Sequence, residues 1–175
     1  DVHLKGLQYL LQAVHALHMD DPEITVTVLG KPRKNGPAAR LIQSLGLQSR
    51  VSFRTGLSTR ELCLEYARSQ IAVVPSLYEG FGLPAAEAMA CGLPVISTTG
   101  GALPEVVGDA GWLVPPADAE ALARAIRCLL DHPLRRGELG VMGRRRMEEY
   151  FSWERSAEKT GRIYQEALGR SHADH

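Results

Sequence analysis

Residues 71–96 read IAVVPSLYEGFGLPAAEAMACGLPVI, and this stretch determines the predicted fold. Its first four residues are apolar, mostly β-branched and followed by Pro75, a pattern typical of a strand buried on both faces. Residues 84–91 have a helical pattern, and Val95-Ile96 is the next apolar pair with strand character. A strand, a helix and a second strand in this order predict two parallel strands joined by a helical crossover.

The same alternation continues on both sides of this stretch. Strands are predicted over residues 24–29, 51–53 and 112–114, and helices over about 6–18, 37–46, 58–69, 118–131, 133–150 and 152–168. Ser58 and Asp118 are expected to be N-caps. The fold class is therefore α/β, a doubly wound, Rossmann-like parallel sheet with flanking helices and a C-terminal helical segment. Residues 1–168 form one domain, with Trp153 and Tyr164 anchoring its last helix, and residues 169–175 are expected to be a flexible tail.

Composition narrows the function classes. The 175 residues are 45% apolar, and 20 Lys plus Arg balance 20 Asp plus Glu, so there is no net charge to attract nucleic acid or an anionic membrane. No apolar run approaches the ~18 residues of a membrane span, and the first residues lack the apolar core of a signal peptide, so a cytoplasmic location is expected. Cys63, Cys91 and Cys128 are interpreted as reduced packing residues.

The segment after the strand at residues 71–74 carries the chemistry. Gly80 and Gly82 permit a tight turn, and Pro84 suits a helix start, so unpaired N–H groups there are suited to an anion such as pyrophosphate. An ordinary strand-to-helix turn, with Glu87 complementing the helix dipole, explains the glycines equally well. Glu79 favours the first interpretation, because a carboxylate beside a phosphate site is best explained by hydroxyl groups on the ligand. A ligand with both phosphates and hydroxyls is a nucleotide sugar.

Residues 79–87, EGFGLPAAE, resemble the Glu-x7-Glu signature of the retaining glycosyltransferases of family 4, which have the two-domain GT-B fold. The resemblance extends in order over about residues 4–168. Further segments that match the family pattern are Lys5-Gly6, Val51 to Gly56, Pro75-Ser76, Gly92 to Ile96, Gly100-Gly101, Gly111 to Pro116 and Phe151 to Trp153.

The resemblance implies that this chain is the C-terminal, donor-binding half of such an enzyme. It implies that Glu79, the candidate catalytic residue, hydrogen-bonds hydroxyls of the donor sugar and that Glu87 holds the ribose. It further implies that Lys5 and the backbone amides around Phe81, Gly82 and Leu83 bind the diphosphate, and that Gly30 and Arg54 lie near the base. A lysine and a helix N-terminus can stabilise a departing diphosphate, so neither a metal nor another cofactor is expected.

Two parts of the family pattern are missing from the sequence. The first central strand is absent, so either residues precede this chain, or the sheet is rearranged, or another chain completes it. The N-terminal acceptor domain is also absent, and membrane association is expected only through that half. We therefore expect the chain to bind donor nucleotide weakly and not to transfer sugar by itself.

Other interpretations remain open or are less favoured. A GT-B-like phosphorylase, a nucleotide-sugar epimerase and a non-catalytic nucleotide-sugar-binding module are alternatives. A glycosidase with paired carboxylates is disfavoured, because Glu87 is expected in the first helical turn, where N–H groups keep it ionised. The cluster at residues 144–146 is expected to form helix ion pairs with Glu148 and Glu149 rather than a nucleic-acid site. Tyr78 and Phe81 either pack locally or form a wall for sugar or base.

Overall fold

The computed structural model describes residues 3–19, 21, 23–31 and 33–171. The strands are β1 (Val26–Leu29), β2 (Val51–Arg54), β3 (Ala72–Val74), β4 (Val95–Thr98) and β5 (Trp112–Val114). The helices are α1 (Leu7–His18), α2 (Pro37–Ser44), α3 (Thr59–Arg68), α4 (Leu83–Ala90), α5 (Leu103–Val107), α6 (Ala119–Asp131), α7 (Pro133–Tyr150) and α8 (Trp153–Ser171). None of these helices is long and apolar enough to cross a membrane.

The strands are parallel and flanked by helices, which confirms the predicted fold class, but the sheet is in two parts. β1 pairs with β2, with Val26 opposite Val51, and β3, β4 and β5 form a second sheet with β4 in the centre. A groove with a volume of about 820 Å³ separates β1 from β3 and is lined by every residue of both strands. Among the described residues no strand fills this groove.

Two apolar cores flank the strands. One combines α1 and α6 with side chains from both sheets, including Ile96 and Val114. The other combines α4, α5 and the buried residues Tyr66 and Met147 from α3 and α7. β4, which lies between two strands, is buried along its whole length. β3, whose sequence pattern is typical of a strand buried on both faces, has only Val74 fully buried because its other edge faces the groove. β1 and β2 differ, because alternate residues such as Thr27 and Ser52 are exposed, so one face of this pair is open.

Local signals predicted most helix ends. Ser58 caps α3 and forms a capping box with Glu61, and the carboxylate of Asp118 accepts a hydrogen bond from the Ala121 amide at the start of α6. The sequence analysis did not predict α5. That helix has only five residues and contains Pro104, so its periodic signal is too short to detect.

Two predictions about packing are wrong. Trp153 and Tyr164 do not anchor α8, since their side chains are 88% and 66% exposed. Cys63 and Cys91 are also exposed, although all three cysteines are free thiols. α8 continues to Ser171, so the helix runs three residues past the predicted end, and residues 172–175 of the predicted tail lie outside the described residues.

Candidate active site

The predicted site lies at the carboxyl ends of β1 and β3, where ligands bind in open α/β sheets. The groove between these strands reaches Lys5, Gly30, Ser76, Glu79 and Pro84 at that end. Residues far apart in the sequence therefore border one cavity.

Lys5 and Glu79 form an ion pair in this cavity. The Lys5 Nζ lies 2.6 Å from the Glu79 Oε1, and the Ser76 hydroxyl donates a hydrogen bond of 2.9 Å to the same oxygen. The Glu79 side chain is 10% exposed, whereas that of Lys5 is 56% exposed. A buried carboxylate needs such partners, because desolvation of a bare charge is costly. The positive end of the pair faces solvent, where a phosphate group can reach it.

Gly6 allows Lys5 to approach the end of β3. Its φ is +66°, and a Cβ atom at this position would lie 1.8 Å from the Pro75 carbonyl oxygen. The amide of Leu77 donates a hydrogen bond of 2.8 Å to the Leu4 carbonyl, which holds the two segments together. The Lys-Gly pair in the sequence therefore has a steric reason, since any side chain at position 6 would displace the lysine.

A second loop supports the segment that carries Glu79. The amide of Ala102 donates a hydrogen bond of 2.9 Å to the Glu79 carbonyl, and the Thr98 hydroxyl donates to the Ser76 carbonyl. A Cβ atom at Gly101 would lie 2.2 Å from the Glu79 carbonyl oxygen. The glycines after β4 therefore allow the close backbone contact that fixes the position of Glu79.

The N-terminus of α4 follows this loop. Gly82 is the N-cap with a φ of +99°, Leu83 is the first helical residue and Pro84 the second. The amides of Phe81, Gly82 and Leu83 donate none of the turn, loop or cap hydrogen bonds found in the described part of the chain. Gly82 is buried, but the side chains of Phe81 and Leu83 are 45% and 61% exposed. These three N–H groups lie at the positive end of α4, and their contact with an anion stays a prediction.

Glu87 occupies a different environment from the predicted one. It is the fifth residue of α4 and lies beyond the first turn, because the helix begins at Leu83 rather than at Pro84. The Glu87 carboxylate accepts a hydrogen bond from a side chain, because the Tyr66 hydroxyl donates to the Glu87 Oε2 at 3.2 Å. Glu87 itself is exposed. The prediction that Glu87 lies in the first turn of the helix is therefore wrong.

Gly30 and Arg54, predicted near the base, lie side by side at the ends of β1 and β2. The Gly30 amide donates a hydrogen bond of 2.8 Å to the Arg54 carbonyl. The Arg54 guanidinium lies 3.8 Å from a carboxylate oxygen of Glu65, which lines the groove. Both residues are therefore on the predicted edge of the sheet, while their contact with a base stays a prediction.

The sequence analysis missed two side chains of this site, Ser76 and Tyr66. Ser76 lies two residues after the end of β3, and this position was a usable signal for a ligand-binding side chain. Tyr66 gave no such signal, because a tyrosine on the apolar face of a helix is typical of a core residue. Its hydroxyl reaches Glu87 only through the packing of α3 near α4.

Other side chains named in the sequence analysis form contacts within the protein. Phe81 packs edge-to-face on Phe151, with ring centroids 6.0 Å apart. The predicted helix ion pairs are present, at 2.9 Å between Arg144 and Glu148 and 2.6 Å between Arg145 and Glu149. Over the described ranges, no three His, Cys, Asp or Glu side chains cluster in a way that could hold a metal ion. Independence from metal stays a prediction.

Comparison with known families identifies one match that covers most of the chain. Residues 1–132 match the profile of the family described as "Glycosyl transferases group 1". The MMP alpha-(1->4)-mannosyltransferase of Mycolicibacterium hassiacum is 44% identical in an alignment of 173 residues that covers 97% of this chain and 42% of that protein. The chain therefore spans less than half the length of this relative.

Solved structures show the same similarity. The sucrose-phosphate synthase of Thermosynechococcus elongatus superposes with a TM-score of 0.82 and is 37% identical, with 96% of this chain and 43% of that chain covered. The C-terminal domain of a group 1 family glycosyltransferase from Francisella tularensis superposes with a TM-score of 0.76 and 29% identity. That match covers 86% of this chain and 82% of the crystallised domain.

Proposed function

This chain belongs to the group 1 glycosyltransferases, and from that premise we propose that it is the donor-binding half of a retaining, family 4 enzyme of the GT-B fold. The enzyme would transfer a hexose from a nucleoside-diphosphate sugar to an acceptor hydroxyl. The observation that carries the proposal is the Lys5–Glu79 ion pair at the carboxyl ends of the strands. It places a cation suited to phosphate and a carboxylate suited to sugar hydroxyls in direct contact.

The proposed chemistry follows from these charges. When the bond between the sugar and the diphosphate breaks, negative charge develops on the phosphate oxygens and positive charge on the anomeric carbon. Lys5 and the amides of Phe81, Gly82 and Leu83 stabilise the leaving diphosphate electrostatically. Glu79 holds the sugar hydroxyls and is the candidate catalytic carboxylate. With these groups the departure of the diphosphate needs no metal ion.

The acceptor site is proposed to lie outside this chain. The related mannosyltransferase is more than twice as long as the region matched here, since that region is 42% of its length. Donor and acceptor then meet across a cleft between two domains. We expect the 175 residues to bind a donor nucleotide without transferring sugar at a rate above hydrolysis. Robust transfer to an added acceptor would contradict this part of the proposal.

Calorimetric titration tests the donor site. The chain is titrated with UDP, GDP and ADP and with the corresponding glucose and mannose nucleotides. Replacement of Glu87 by alanine is expected to weaken binding of every nucleotide by ~1 to 3 kcal/mol, because hydrogen bonds to the ribose are lost. The Glu79→Ala variant is expected to weaken binding of the sugar nucleotide more than binding of the free diphosphate.

The matched control is Glu120→Ala, which removes an exposed carboxylate on α6, and it should leave every affinity unchanged. An unchanged affinity in Glu87→Ala would argue against the ribose role. Equal losses of affinity for sugar nucleotide and free diphosphate in Glu79→Ala would show that Glu79 does not contact the sugar. Absence of binding to all these ligands would overturn the donor-site proposal.

A further inference from the structure

Tyr66 is the one buried polar side chain of α3, and its hydroxyl points at the second glutamate of the motif. The side chain is 7% exposed, and the O–H group donates a hydrogen bond of 3.2 Å to the Glu87 Oε2. Tyr66 also lines the groove between β1 and β3. Tyr66 therefore borders the cavity that contains Lys5 and Glu79 and also contacts Glu87, which does not line that cavity.

This hydrogen bond restricts a side chain that would otherwise rotate freely. Glu87 is exposed, and no other side-chain partner is found for it among the described residues. One carboxylate oxygen is held by Tyr66, so the plane of the carboxylate is set and Oε1 remains available to accept hydrogen bonds from a ligand. An exposed glutamate without such a donor would lose several rotamers on binding, which costs affinity.

Tyr66 is itself held rigidly. Its ring belongs to the core formed with Ala85, Ala88 and Met89 of α4. The capping box between Ser58 and Glu61 fixes the first turn of the same helix. Burial, and then the charge of Glu87, raise the pKa of Tyr66 well above its usual value of 10.0, so the hydroxyl keeps its proton and remains a donor.

We propose that Tyr66 is a positioning residue, which orients the Glu87 carboxylate so that it can hold the ribose hydroxyls of the donor nucleotide. The assignment rests on the proposed donor-binding function. It adds a residue whose hydroxyl acts on the ribose through the Glu87 carboxylate. Loss of the hydroxyl should therefore reduce the recognition of ribose and leave the recognition of the diphosphate unchanged.

The test compares ribonucleotides with deoxyribonucleotides. The wild-type chain is titrated with UDP, GDP and ADP, with their 2′-deoxy counterparts and with inorganic pyrophosphate. In Tyr66→Phe, the affinity for the preferred ribonucleotide should fall about three- to tenfold, the range for one hydrogen bond. The affinities for the 2′-deoxy nucleotide and for pyrophosphate should change by less than twofold. The ratio of ribo to deoxy affinity is the informative quantity, since a purely structural role of Tyr66 would lower all three affinities together.

Two further variants separate the possible outcomes. Tyr9→Phe removes a partly buried hydroxyl on α1 away from Glu87 and should leave the ratio unchanged. Glu87→Gln should reduce the ratio, and the double variant Tyr66→Phe/Glu87→Gln should match Glu87→Gln alone, because Tyr66 acts only through the carboxylate.

A normal ratio in Tyr66→Phe combined with a reduced ratio in Glu87→Gln would overturn the role of Tyr66 while keeping the ribose site. A normal ratio in Glu87→Gln, or no nucleotide binding by the wild-type chain, would overturn the ribose site itself and the role of Tyr66 with it. If Tyr66→Phe does not fold, the hydroxyl proton of Tyr66 is followed by NMR. In the wild-type chain, this proton should exchange with water more slowly when nucleotide is bound than when it is absent. An unchanged exchange rate would overturn the proposal.

Discussion

At the scale of single residues, the site depends on a buried carboxylate with two partners. Ser76 is 2% exposed and shares the Glu79 Oε1 with Lys5. The Ser76 hydroxyl therefore makes the same kind of hydrogen bond to Glu79 that the sugar hydroxyls are proposed to make. Lys5 stabilises the buried Glu79 carboxylate less than Ser76 does, because the Lys5 side chain is largely exposed and its charge is screened by solvent.

We predict that Ser76→Ala lowers the free energy of unfolding by about 1.5 to 3 kcal/mol, the range for a lost hydrogen bond to a buried charged group. The exposed substitution Ser49→Ala serves as the control and should change the stability by less than about 0.5 kcal/mol. Urea unfolding followed by circular dichroism measures both. Equal stabilities of the two variants would show that Lys5 alone satisfies Glu79.

At the scale of secondary structure elements, the Tyr66–Glu87 contact joins two helices, since α3 carries Tyr66 and α4 carries Glu87. The position of α3 depends on its capping box, in which the Ser58 hydroxyl accepts from the Glu61 amide and the Ser58 amide donates 2.8 Å to the Glu61 carboxylate. Hydrogen bonds from the side chain and then the backbone of Ser58 lower the pKa of Glu61 below its usual value of 4.5. The cap therefore favours the ionised carboxylate.

We predict that Ser58→Ala destabilises the protein at pH 7 and that part of the difference from wild type disappears in acid. Because the pKa of Glu61 is lower in the folded state, its contribution is complete above the unfolded value of 4.5 and is lost as the pH falls through the folded value. Urea unfolding at several pH values between 7 and 3 measures the effect. Ser156→Ala, on the exposed face of α8, is the control, and a pH-independent difference for Ser58→Ala would contradict the role of Glu61.

At the scale of the whole molecule, an open groove separates the two sheets, and the strands differ in how many of their edges are paired. β4 is paired on both sides and buried, whereas β1 and β3 each have one edge on the groove. Unpaired strand edges open more easily than paired ones, so stability should differ across the sheet.

Amide hydrogen exchange measured by NMR tests this division. The Ile96 and Ser97 amides on β4 are expected to exchange at least about ten times more slowly than those of Val28 on β1 and Val73 on β3. Equal rates in the 175-residue chain would mean that the groove does not weaken its edges.

Local sequence patterns were sufficient to predict the parallel α/β class and the N-caps Ser58 and Asp118. Such features arise within one or two turns of chain, where spacing and residue type dominate the energetics. The partners of the site required the tertiary structure. Lys5 and Glu79 are 74 residues apart, and Tyr66 and Glu87 are 21 apart. Only the packing of helices and strand ends brings these groups together, because burial creates a need for partners without specifying which ones.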